Sequence, residues 1–174
     1  MTSDLGFTCS CRGAHQSGLP MNYSAEAPAV WDPAFADADD CLLSSDQCVV
    51  HAQHYFVKRV IEIPIIGSDE VFPGVSGSHS AARTSPVSAE LWDTFGREAE
   101  KPHFGWLTTD LPVYSPTTLN LKAHVHTRTV GERPYVEPEP TDHPLAVEQR
   151  AGITQDRVRE IAEAVLHSGS SEEQ

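Results

Sequence analysis

Cys9-Ser10-Cys11-Arg12-Gly13-Ala14-His15, joined by the more distant Cys48, has the side-chain types of a zinc site. Zinc takes thiolates and imidazoles, and a tight turn can aim two of them at one ion. The spacing works against this, because an extended Cys-x-Cys sends its thiols to opposite faces. Cys9, Cys11, His15 and Cys48 could then make a set of four only through tertiary contact, and ordinary packed thiols are the competing reading. A second group is His124, His126 and His143 with Asp142. On a strand, His124 and His126 share one face, which suits two metal ligands or an acid–base pair. Asp142 would be a further ligand or would orient an imidazole. Polar residues alternating on a half-exposed strand would look the same.

The third stretch is Thr141-Asp142-His143-Pro144-Leu145-Ala146-Val147-Glu148-Gln149-Arg150. Read as structure, Thr141 or Asp142 caps a short helix, Pro144 sits in its first turn and Gly152 ends it. Read as function, Asp142, His143, Glu148 and Arg150, with His124 and His126, are candidates for a binding surface. No phosphate loop, dinucleotide glycine fingerprint, Gly-x-Ser-x-Gly elbow or His-Glu-x-x-His occurs. No known enzyme class is supported, and whether the chain is an enzyme stays open.

The elements that must position these residues predict an α+β fold: an antiparallel sheet with helices packed on one side and a C-terminal amphipathic helix. Gln47 to Val50 and Tyr55 to Ile66 read as a hairpin turning at Ala52-Gln53. Residues 22 to 41 read as loop and Ser88 to Gly96 as a short helix. Phe104 to Thr109 and Leu119 to Arg128 read as strands. The latter puts Leu119, Leu121, Ala123 and Val125 on one face and Asn120, Lys122, His124 and His126 on the other. Pro134 to Pro140 is extended. Thr154 caps the last helix, with Val158, Ile161, Ala162, Val165 and Leu166 in one stripe. The chain divides into a disordered end (1–6), a single domain (7–167) and a disordered tail (168–174).

The run from Pro140 to Thr154 resembles the signature of a bacterial family, the domain of unknown function 2199. Phe7-Thr8-Cys9-Ser10-Cys11, Leu43 to Val50, Glu62-Ile63-Pro64-Ile65, Phe104-Gly105-Trp106-Leu107 and Leu119 to Lys122 carry the likeness over residues 7 to 167. The resemblance implies no activity. It implies a Cys-x-x-Cys-Gly turn near the N-terminus, from which this chain departs, with Cys11 one position early and Arg12 in its place.

Residues 74–88 are small, polar and without period. The resembled family has here a strand like Trp-Gly-Val-Trp-Val-Ser-Leu-Ser and a helix start like Arg-Glu-Asn-Phe-Ser-Arg-Phe. Plausible codons for that peptide, read one base out of frame, translate into residues 74–88 without a mismatch. The segment therefore reads as a compensated frameshift, in the gene or in its sequencing, against a divergent surface loop. If the segment is genuine, the sheet is expected to lose a strand.

With 12 Lys and Arg against 25 Asp and Glu, the formal charge is -13. Such a chain repels phosphate backbones, so nucleic acid is not an expected partner. A basic protein suits it better. No signal peptide is visible, and no apolar run approaches the ~18 residues of a membrane helix. These features predict a cytoplasmic protein. The expected function is a non-enzymatic protein-binding domain with an acidic surface. The alternative is a small zinc-binding protein or metal-dependent enzyme.

Overall fold

The computed structural model describes residues 7–8, 13, 15–16, 27–28, 30–44, 47–72, 78–81 and 93–168, with backbone alone at 7, 15–16, 78–81 and 165–168. Cys9, Cys11, the ends 1–6 and 169–174, most of 74–88 and the start of the expected helix at 88–96 lie outside the described residues.

Among the described residues, eleven strands form three antiparallel sheets. β1 (Phe7–Thr8) pairs with β2 (His15–Gln16), and β6 (Ile63–Pro64) with β7 (Val71–Phe72). The main sheet contains β3 (Leu42–Leu43), β4 (Gln47–Val50), β5 (His54–Arg59), β8 (Ser78–Ala81), β9 (His103–Leu107), β10 (Lys122–His126) and β11 (Tyr135–Pro138). Its order is β11-β10-β9-β8-β5-β4-β3. Among the described residues two α-helices follow, α1 (Pro144–Ala151) and α2 (Gln155–Ser168). The class is α+β, as the element pattern predicts.

The expected strand from Tyr55 to Ile66 is interrupted. After Arg59 the chain leaves β4 and β8 and reaches the far side of the sheet. Val60 N–H donates to Pro134 O at 3.0 Å, and Val136 N–H donates to Val60 O at 2.9 Å, a parallel bridge. The run from β5 to β11 thus closes on itself, and β11 is not left as an open edge.

Register then decides which face is buried. Val57 pairs with Ser80 and Ser80 with Leu107, while Ala123 pairs with Gly105 and Val125 with Val136. Val57, Leu107, Ala123, Val125 and Val136 share that face and are all buried. Leu107, Ala123 and Val136 join Leu145 of α1 and Val158, Ile161 and Ala162 of α2 in the main core. Burying such aliphatic chains contributes ~1.5–3 kcal/mol each. The opposite face at the β4–β5 end holds Cys48, Val50 and Phe56, packed by Trp31, Phe35 and Cys41. Trp31 and Phe35 come from the stretch read as loop, where Pro33–Asp37 forms a 3-10 turn capped by Asp32, whose carboxylate accepts from Ala34 N–H.

Two further expectations change. Residues 93–96 are turn rather than helix, and a 3-10 turn (Arg97–Ala99) follows Gly96, whose φ of 84° is left-handed. Residues 78–81, expected to cost the sheet a strand, instead form β8 between β5 and β9. Ladder hydrogen bonds use backbone groups, so two flanking strands can recruit a segment of unsuitable composition.

Candidate metal centre and polar cleft

The hairpin β4–β5 turns through His51 and Ala52, both with positive φ (52° and 49°). Such a conformation is uncommon outside glycine and costs of order 1 kcal/mol or more each. Here Ala52 N–H donates to Asp40 O at 2.7 Å, and His51 N–H donates to Cys41 Sγ at 3.3 Å. Pairing of Leu42 with Val49 sets the distance, because it places Cys41 just outside β3 beside the turn after β4. The Phe35 ring meets the imidazole edge-on with centroids 4.9 Å apart, which limits its rotation.

The side chains converge. His51 Nδ1 lies 3.3 Å from Asp40 Oδ2 and 3.9 Å from Cys41 Sγ, and Cys41 Sγ lies 3.5 Å from Asp40 Oδ1. Among the described residues this is the one group of three or more His, Cys, Asp or Glu whose ligand atoms all fall within 4.8 Å of one another. A catalytic relay would place thiol and carboxylate on different ring nitrogens. Both reach Nδ1 here, so the arrangement is a triangle and not a chain. Tetrahedral zinc with ordinary bond lengths sets its ligands about 3.4–3.6 Å apart. The hydrogen bond from His51 is the main influence holding the Asp40 carboxyl below its usual range. Asp40 and His51 are each half exposed, which leaves the outer side of the triangle open.

The residues singled out in the sequence are placed differently. Cys48 is fully buried against Val50 and Phe56, and burial, then the neighbouring Cys41, pushes its thiol up to about 11. His15 lies on β2 with its backbone alone described. His124 and His126 do share a face of β10, alternating with buried Ala123 and Val125. His124 contacts Phe104, while His126 stacks on Tyr135 at 4.4 Å and bonds Glu137 at 2.8 Å. His143 is the N-cap of α1, in place of Thr141 or Asp142. Its Nδ1 accepts from Leu145 N–H, which leaves the proton on Nε2 to donate to Pro116 O at 2.9 Å. Asp142 is exposed.

Glu148 faces inward and accepts from Tyr114 Oη at 2.6 Å and from Arg157 Nε at 2.7 Å. Arg150 and Gln149 turn instead to a cleft of about 470 Å³ that also takes in Glu62, Arg128, Tyr135 and Glu137. Arg128 pairs with Glu62 at 2.7 Å and lies over the Tyr135 ring at 4.8 Å. Arg150 donates to Thr141 O at 3.1 Å.

A family model described as "Uncharacterized protein conserved in bacteria (DUF2199)" matches residues 8–153. The chain belongs to this family. Within that span lie all three members of the triangle and every residue of the cleft. No curated protein and no solved structure matches the chain. No helix among the described residues is long and apolar enough to cross a membrane.

Neither Cys41 nor His51 is among the candidates the sequence motifs single out. The available signal was the hairpin itself: extending its pairing back from Leu42 sets Asp40-Cys41 against His51.

Proposed function

We propose that the chain is a zinc-binding protein whose ion sits among Asp40, Cys41 and His51, with the fourth position left to water or another small ligand. The separations of 3.3, 3.5 and 3.9 Å carry this reading. They approach a tetrahedral ligand set without backbone movement. An open fourth position is also what hydrolytic zinc sites use, since the metal lowers the pKa of bound water to about 7.

Native mass spectrometry of the full chain in zinc-buffered solution tests it. One zinc per wild-type chain is expected, absent from Cys41→Ser and from His51→Ala. A chain that binds no zinc sinks the proposal. So does zinc retained by both variants, which would move the ion to Cys9, Cys11, His15 and Cys48 or to the His124 and His126 pair.

The formal charge of -13 supports a second reading, a cytoplasmic domain that engages a basic protein without catalysis. Its complex should weaken steeply between low and physiological salt. A partner of neutral charge, or a complex indifferent to salt, counts against it.

A further inference from the structure

The cleft lined by β11, β6, β7 and α1 has no part in the zinc reading. It lies at the β11 end of the main sheet, whereas Asp40, Cys41 and His51 lie at the β3 end. Register builds one wall. Tyr135 and Glu137 alternate with buried Val136, so both leave the core on the same face of β11. The parallel bridge between Val60 and Tyr135 carries Glu62, two residues on, to the same cleft. Gln149 Nε2 donates to Val136 O at 2.7 Å, which ties α1 to β11, and the adjacent Arg150 also lines the cleft. Its volume of about 470 Å³ falls within the ~300–1,000 Å³ of small-molecule sites.

The charges in it are of two kinds. Arg128 and Glu62 satisfy each other at 2.7 Å. Arg150 and Glu137 do not have such a partner. Arg150 donates through Nη2 to a carbonyl, Thr141 O, and meets no carboxylate among the described residues, so the rest of its fork is open. Glu137 Oε2 pairs with His126 Nε2 at 2.8 Å, and its Oε1 takes no hydrogen bond among the described residues. Both residues are exposed. The cleft thus offers one open cation and one open carboxylate. Pro64, the Tyr135 ring and Val71, which is 44% exposed, add apolar surface.

We propose that this cleft binds a small zwitterion with an apolar body, of the class of an apolar amino acid or a dipeptide of such residues. The Arg150 fork takes the ligand's carboxylate and Glu137 takes its ammonium. Val71 and Pro64 cover part of its side chains. A ligand with one charge alone would face a like charge in Arg150 or in Glu137. The proposal is independent of the zinc reading and shares no residue with it.

Isothermal titration calorimetry of the full chain tests it. The probes are L-leucine and L-leucyl-L-leucine, each beside its N-acetyl form, which lacks the ammonium, and its C-terminal amide, which lacks the carboxylate. At least one of the two zwitterions is expected to bind, at one per chain, and its N-acetyl and amide forms to bind at least tenfold more weakly. Arg150→Gln and Glu137→Gln each remove one charge from an exposed side chain, so both variants should fold. Each is expected to weaken the bound zwitterion at least tenfold. The proposal is overturned if neither zwitterion binds, if an N-acetyl or amide form binds as tightly as its parent, or if either variant binds as wild type does.

Discussion

Tyr114 gives its phenol hydrogen to Glu148 at 2.6 Å, joining residues 34 positions apart. Glu148 belongs to the polar signature between Pro140 and Thr154, and this bond gives it a structural role. Arg157 takes the other carboxylate oxygen and lies 5.8 Å from the Tyr114 ring centroid, so the loop before β10, α1 and α2 meet at one carboxylate. Burial, then Glu148, raises the Tyr114 pKa and keeps the phenol protonated. Glu148→Ala should cost about 2–3 kcal/mol, because the Tyr114 hydroxyl loses its acceptor and Arg157 keeps only Glu160, at 3.1 Å. Tyr114→Phe should cost about 1 kcal/mol. Urea unfolding of both single variants and the double variant checks this. Additive losses would mean that the two residues do not act together.

Gly152 ends α1 at a φ of 82°. A Cβ there would stand 3.0 Å from Pro64 O and 3.1 Å from Ile66 Cγ1. Pro64 O also accepts from Ile153 N–H at 2.8 Å, so it cannot retreat without breaking that bond. Gly152→Ala should therefore destabilise by about 2 kcal/mol or more, although alanine favours helix elsewhere. A shift in urea midpoint worth under ~0.5 kcal/mol would contradict the packing described.

The two described thiols should behave oppositely. Cys41 is partly exposed, whereas Cys48 is fully buried with its thiol pushed up to about 11. Iodoacetamide at pH 8 should modify Cys41 and spare Cys48 in the folded chain, with zinc slowing the first reaction. Linkage gives a further consequence. The folded state holds the Cys48 proton longer than the unfolded state, so stability is intact below about pH 9 and declines between about 9 and 11. Cys48→Ala should flatten that decline in urea unfolding across this window. Equal slopes in both proteins would remove the assignment.

Zinc affinity should rise with pH. The thiol of Cys41 must lose its proton to bind and His51 must be neutral, so each zinc bound displaces a proton. Competition against a chromophoric chelator between pH 6 and 8 should give roughly a tenfold gain per unit where one proton is released. Flat affinity would show that neither the thiol nor the imidazole is a ligand.

Local pattern made much of the fold legible. The alternation that set Ala123 and Val125 apart from His124 and His126 matches their burial on β10, because a strand's side chains alternate whatever surrounds it. The hairpin after Gln47 and the helix after Thr154 follow from turn and cap chemistry, and Arg157 N–H does donate to Thr154 Oγ1. His143 displaced its neighbours as a cap because its imidazole also reaches Pro116, 27 positions away. Val60 interrupts the expected strand because its backbone partners are Pro134 and Val136, far along the chain. The Asp40, Cys41 and His51 triangle needed the β3–β4 register, which local residue preferences specify weakly over two short strands. By itself the sequence determined the family, the α+β class, the acidity and which residues alternate. Only the tertiary structure decided which polar groups meet and which, like Arg59, are buried without a partner, because those outcomes depend on contacts between segments distant in the chain.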